Sequence, residues 1–101
     1  MHSLNIYLGI SLDDDSEIIA VVKKSVELPI APFNGLLIET ESLTFEVNLL
    51  GYSTKDNAFF SVIDNDSIDH IDDLEDTIDS WLRSGFKKCE VGELLTKTQY
   101  L

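Results

Sequence analysis

Hydrophobic and polar positions alternate near the start of the chain: Leu4, Ile6, Leu8, Ile10 and Leu12 are separated by Asn5, Tyr7, Gly9 and Ser11. Side chains of an extended strand point alternately to opposite faces, so this two-residue period predicts a strand with one buried face. Asp13-Asp14-Asp15-Ser16 interrupts the pattern with turn-forming residues. Alternation resumes over residues 17–28, with Ile18, Ala20, Val22, Val26 and Leu28 on one face, and a first antiparallel hairpin is expected. Ile19 and Val21 make the middle of the second strand apolar on its other face as well, so something must cover both sides.

The segment Leu28-Pro29-Ile30-Ala31-Pro32-Phe33-Asn34-Gly35 cannot join a regular ladder, because its prolines carry no N–H and Asn-Gly favours a turn. It reads as an apolar connection over one end of the sheet. Residues 36–40 predict a short strand, Glu41-Ser42 a tight link, and residues 43–53 a longer strand with Leu43, Phe45, Val47 and Leu49 facing one way. After a turn at 54–57, residues 58–64 predict a fifth strand that is apolar on both faces through Phe59, Phe60, Val62 and Ile63.

The period then changes. Ile71, Leu74, Ile78, Trp81 and Leu82 fall within an arc of about 100° when successive residues turn by 100°, the stripe of a core-facing helix over residues 70–84. Ser67 or Asp69 is placed to cap its start, Arg83 suits the negative end of the helix dipole, and Gly85 suits a left-handed stop. Residues 86–101 carry no decisive period and read as a short strand, a turn of helix or a packed tail.

The expected fold is therefore a single α+β domain spanning residues 1–101. An antiparallel sheet of about five strands, open or curled toward a barrel, is packed by one C-terminal amphipathic helix in the order β-β-β-β-β-α plus tail. Ile19, Val21, Leu37, Leu50 and Phe59 or Phe60 exceed what one short helix covers. Barrel closure, the tail or a second copy of the chain must take the remainder.

Composition sharpens this picture through charge. The 101 residues include 19 acids against 7 Lys and Arg, a formal net charge of −12. Binding to a nucleic-acid backbone or an anionic bilayer is disfavoured, since phosphates must be met by clustered cations and the largest basic runs are the pairs Lys23-Lys24 and Lys87-Lys88. Basic proteins or cations are the natural ligands. Cys89 is the only cysteine, which excludes an intramolecular disulfide. With no cationic segment ahead of an apolar run, the chain reads as a cytoplasmic protein.

The acids are unevenly placed. From Asp56 to Leu82 there is no Lys or Arg, and Asp69, Asp72, Asp73, Glu75, Asp76 and Asp79 follow one another along the predicted helix. At a rise of about 1.5 Å per residue that is roughly one charge per 3 Å, close to the spacing of about 3.4 Å along one DNA strand. A nucleic-acid mimic is one reading and a solvated helix face the plainer one. Like-charged i,i+4 pairs such as Asp72/Asp76 cost only about 0.2–0.5 kcal/mol each.

Other chemistries lack their residues. Asp64-Asn65-Asp66-Ser67-Ile68-Asp69 misses the glycine and the ligand spacing of a calcium loop, and Asp13-Asp14-Asp15 with Glu17 reads as a solvated turn. His2 and His70 have no metal-pair spacing. No nucleophile elbow is present, and the five glycines stand singly, so no phosphate loop exists.

No catalytic residue, metal or cofactor is expected. The reading that follows is a non-enzymatic acidic module, of inhibitor, immunity, antitoxin-like or adaptor type, binding a basic protein through the acids of residues 69–79. The alternatives are a homodimer or other homo-oligomeric structural protein using an apolar sheet face, and a small carboxylate-based cation-binding domain or enzyme.

Overall fold

The first two alternating runs form β1 (His2–Leu12) and β2 (Ile18–Leu28), paired antiparallel with Leu4 opposite Val26, Leu8 opposite Val22 and Ile10 opposite Ala20. The computed structural model describes residues 1–12, 17–41 and 43–98. The expected turn at 13–16, the link residue Ser42, and Tyr100 and Leu101 lie outside that set.

Three further strands complete the main sheet: β5 (Gly51–Ser53), β6 (Ala58–Ile68) and β7 (Lys87–Cys89), in the order β5-β6-β1-β2-β7. The sheet is mixed rather than antiparallel. The chain leaves β2, crosses over through β3 (Leu37–Glu39) and β4 (Thr44–Glu46), and returns on the far side of β1, so β6 runs parallel to it with Leu4 beside Phe59 and Leu8 beside Ile63. Nor does the sheet close into a barrel, because β5 and β7 remain as its two edges. Parallel pairing demands that both faces be covered, and β1 meets that demand: Ile6, Tyr7, Leu8, Gly9 and Ile10 are all buried.

The expected strand over 36–40 exists as β3, but it pairs with β4 in a separate two-stranded ribbon and not with the sheet. The single strand expected over 43–53 is broken into β4 and β5. Between them the Asn48 carbonyl accepts from the buried Ser61 hydroxyl at 2.6 Å, the Leu50 N–H donates to Asn34 Oδ1 at 3.2 Å, and Leu49 takes a left-handed φ of 50°. Val47 still bonds backbone to backbone with Leu36 and Gly35, and side-chain bonds take over from Asn48 to Leu50. The fifth strand runs past 64 to Ile68.

Residues 71–73 form a 3₁₀ turn leading into α1 (Leu74–Arg83). Ser67 belongs to β6, and no side-chain capping bond forms at His70 or Asp73, so the expected caps are absent. The expected stop is present. Gly85 has φ 92°, its N–H donates to the Leu82 carbonyl at 3.1 Å, and the Phe86 N–H reaches the Trp81 carbonyl at 3.1 Å. This double bond pattern is a Schellman motif, accompanied by an edge-to-face contact of Phe86 with Trp81 at 5.1 Å between centroids.

One sheet face packs Leu4, Ile6, Leu8 and Val22 against Ile38, Phe45 and Val47 of the ribbon region and against Phe86. Farther along it, Ile10, Ala20 and Ile68 receive Ile78 of α1. A register shift after Ile10 joins Ile19 to this cluster. The tail covers the other face: β7 adds to β2, and α2 (Val91–Thr98) lays Leu94 over Tyr7 and Val21. Of the apolar surplus, Val21 and Phe60 are thereby covered within the chain, whereas Leu37 of the ribbon stays exposed. No helix among the described residues is long and apolar enough to cross a membrane.

Candidate functional site

The acids named from the sequence all stand on the surface: Asp69, Asp72, Asp73, Glu75, Asp76 and Asp79 are exposed. Burial of Ile78 against Ile10, Ala20 and Ile68 sets the rotation of α1, and with Ile78 inward the acids of the helix face out. The apolar stripe is narrower than its sequence period suggests. Ile71 is 56% exposed, because it lies in the 3₁₀ turn, where the 100° step does not hold, and Leu82, in the last turn of α1, is 41% exposed.

Only Glu75, Asp76 and Asp79 belong to α1 itself; Asp72 and Asp73 occupy the 3₁₀ turn and Asp69 precedes it. The even rise assumed for a nucleic-acid mimic therefore applies to half of the set.

Tertiary structure adds a partner to this cluster that the sequence did not single out. Asp66, near the end of β6, accepts the Trp81 indole N–H at 2.8 Å, which ties α1 to the strand. Beside this bond lies a shallow depression of about 500 Å³ with Asp66, Asp69, Asp73 and Asp76 around it, together with the hydroxyl residues Ser67, Thr77 and Ser80 and the Trp81 ring. Asp72, Glu75 and Asp79 do not line it. Asp66 and Trp81 also line a second groove of about 450 Å³, to which Leu8, Leu43, Phe45 and Ile63 contribute apolar surface and Thr44, Glu46 and Asn48 polar surface. The two hollows thus share Asp66 and Trp81, one rimmed by carboxylates and the other of mixed apolar and polar lining.

Among the described residues, none of the carboxylates from Asp69 to Asp79 enters an ion pair; the pair present there joins Lys23 to Glu93. No three His, Cys, Asp or Glu side chains in that set converge as metal ligands. The backbone over 64–68 is β-strand, not a cation-binding loop.

A second polar cluster sits under α2 and went unnoticed in the sequence. Tyr7, fully buried, donates its hydroxyl proton to Glu93 Oε1 at 2.8 Å, and Lys23 Nζ donates to the same oxygen at 2.8 Å. The signal available was only a tyrosine on the polar side of an alternating strand. Burial, reinforced by Glu93, raises the pKa of Tyr7. The hydrogen bond to Glu93 raises that of Lys23 against the opposing effect of burial, and burial pushes the Cys89 thiol up to about 11. A nucleophilic cysteine requires the opposite shift, toward thiolate. The cluster holds its protons and anchors α2.

No protein-family model, no curated protein and no solved structure matches this chain.

Proposed function

We propose that the chain is a non-catalytic acidic module that engages a basic protein, in an inhibitor, immunity, antitoxin-like or adaptor role, through the outer side of α1 and the depression at its start. The observation that carries this reading is the convergence of Asp66, Asp69, Asp73 and Asp76 around one depression beside Trp81, next to a groove that adds the apolar side chains Leu8, Leu43, Phe45 and Ile63. Carboxylates without cationic neighbours attract Lys and Arg and speed encounter with a positively charged surface. The indole and the groove offer the apolar contact area that a charged rim alone lacks. A fitting partner segment presents basic side chains next to a bulky apolar one. Self-association through an apolar sheet face has less support, since α2 packs over Tyr7 and Val21.

The test is capture from the native lysate by wild-type protein and by an Asp73→Lys/Asp76→Lys variant, both substitutions at exposed positions. Wild type retains a basic protein at about 0.05 M salt and releases it at about 0.5 M, where the screening length falls below about 5 Å. The variant binds at least about tenfold more weakly. Mixing with the captured partner shifts the emission of Trp81, the sole tryptophan. Equal capture by the variant, or retention indifferent to salt, overturns the reading.

A further inference from the structure

β6 is eleven residues long, but β5 pairs only with its start, Ser53 opposite Ala58, Tyr52 opposite Phe59 and Gly51 opposite Phe60. At Ser61 a side chain takes over: its hydroxyl donates to the Asn48 carbonyl at 2.6 Å and accepts from the Asn48 N–H at 3.3 Å. From Val62 to Ile68 the strand has β1 on one side and, among the described residues, no backbone partner on the other. Alternate N–H and C=O groups of a strand point to each side, so about 20 Å of this edge presents outward donors and acceptors.

The other edges of the sheet are guarded. β5 and β7 have three residues each, and β7 carries Lys87 and Lys88; short length and lysine both discourage the addition of a further strand. The free run of β6 holds neither Lys nor Pro. Nor does α1 cover it, because the helix crosses from the end of β6 over Ile10 and Ala20 to β2, where Lys24 bonds the Ser84 carbonyl. The groove of about 450 Å³ lies beside the free edge, between Ile63 and Asp66 of β6 and Thr44, Phe45 and Glu46 of β4. Val62 and Ile63 are half-buried and turn to opposite faces, Val62 to the side of Tyr7 and Leu94, Ile63 to that of Leu8 and Phe45. The register shift between Leu8 and Ile10 interrupts the run after Ile63, so the edge suits one short strand and not an extending sheet.

We infer that the free edge of β6 takes up an extended segment of a basic partner as an added strand. An apolar side chain of that segment enters the groove beside Ile63, and a Lys or Arg two positions along, on the same face, comes alongside Asp66. This inference rests on the reading of the acidic surface as the partner site. Charge selects the occupant. Asp66 spends one oxygen on the Trp81 indole and keeps acceptor capacity on its carboxylate, and the sequence supplies no Lys or Arg from Asp56 to Leu82 to neutralise it. A second copy laid on the same edge would bring Asp64 and Asp66 against acids of its own kind, and like charges across a strand pair are destabilising.

The experiment titrates the ¹⁵N-labelled full chain with the acetylated and amidated hexapeptide Thr-Leu-Thr-Lys-Thr-Lys, in which leucine and both lysines share one face. Two further forms carry backbone N-methyl groups, one at the three threonines and the other at the leucine and lysines. Saturable amide shifts are expected along residues 61–68 and at the Trp81 indole. One methylated form should bind within about threefold of the parent and the other at least about tenfold more weakly, because only alternate N–H groups of an added strand face its neighbour. No saturation, equal affinity of all three peptides, equal loss in both methylated forms, or shifts confined to residues 69–80 overturns strand addition. The acidic reading is judged separately, by capture with wild type against Asp73→Lys/Asp76→Lys, so the two can fail independently.

Discussion

Glu93 Oε1 accepts from both the Tyr7 hydroxyl and the Lys23 ammonium at 2.8 Å, and this shared acceptor links α2 to the two central strands. The three neighbouring groups respond to pH in one sense. Cys89, raised from 9.0 to about 11, keeps its proton in the folded chain while the unfolded chain releases it between those values, so stability falls as pH rises through that window. Raised Tyr7 acts alike above its ordinary range. Raised Lys23 favours the charged form, so its contribution is complete below its ordinary value of 10.5 and is lost as pH climbs through the folded value. Denaturant unfolding from pH 7 to 11 should therefore show a loss of stability beginning near pH 9, with a shallower slope in Cys89→Ala. Alkylation of Cys89 in the folded chain should have its midpoint near pH 11. Residue chemistry of this kind was illegible in the sequence, because Tyr7 and Glu93 are joined only when the tail returns to β1.

At the scale of elements, the ends of helices were easier to read than the pairing of strands. Gly85 takes φ 92° and closes α1, as its place after an apolar stripe and Arg83 predicts. Gly85→Ala should destabilise by about 1 kcal/mol or more through left-handed backbone strain, and its Cβ would also press on Lys24 Nζ at 3.2 Å. Gly92→Ala in α2 meets open space and should stabilise by up to about 1 kcal/mol through helix propensity. Paired thermal melts of opposite sign check both. Strands behave otherwise. An alternating run states which residues share a face but not which neighbour it pairs with. Thus β6 could be foreseen as a two-faced strand, whereas its parallel seat beside β1 could not. The break at 48–50 was hidden for a related reason: the ladder there yields to Ser61 and Asn34, which are distant in sequence.

For the whole molecule, a net charge of −12 with the acids of residues 69–79 exposed and unpaired among the described residues implies self-repulsion that salt relieves. Raising sodium chloride from about 0.05 to 0.5 M should raise Tm, since the screening length falls severalfold. A variant with Asp72, Asp76 and Asp79 changed to Asn should begin at a higher Tm and gain less from salt. Both trends are read from melting curves at fixed pH. By itself the sequence determined the elements whose signal is local: the β1–β2 hairpin, a helix ending at Gly85, the outward run of acids and the charge imbalance. These depend on periodicity, backbone freedom and solvation within a few residues. Tertiary structure alone decided the parallel placement of β6, the separate ribbon, the covering of the second sheet face by α2, and the meeting of Asp66 with Trp81. Each is a choice of partner among chemically similar surfaces, and such choices are settled by which arrangement buries the apolar faces of β1 together with their hydrogen-bonding groups.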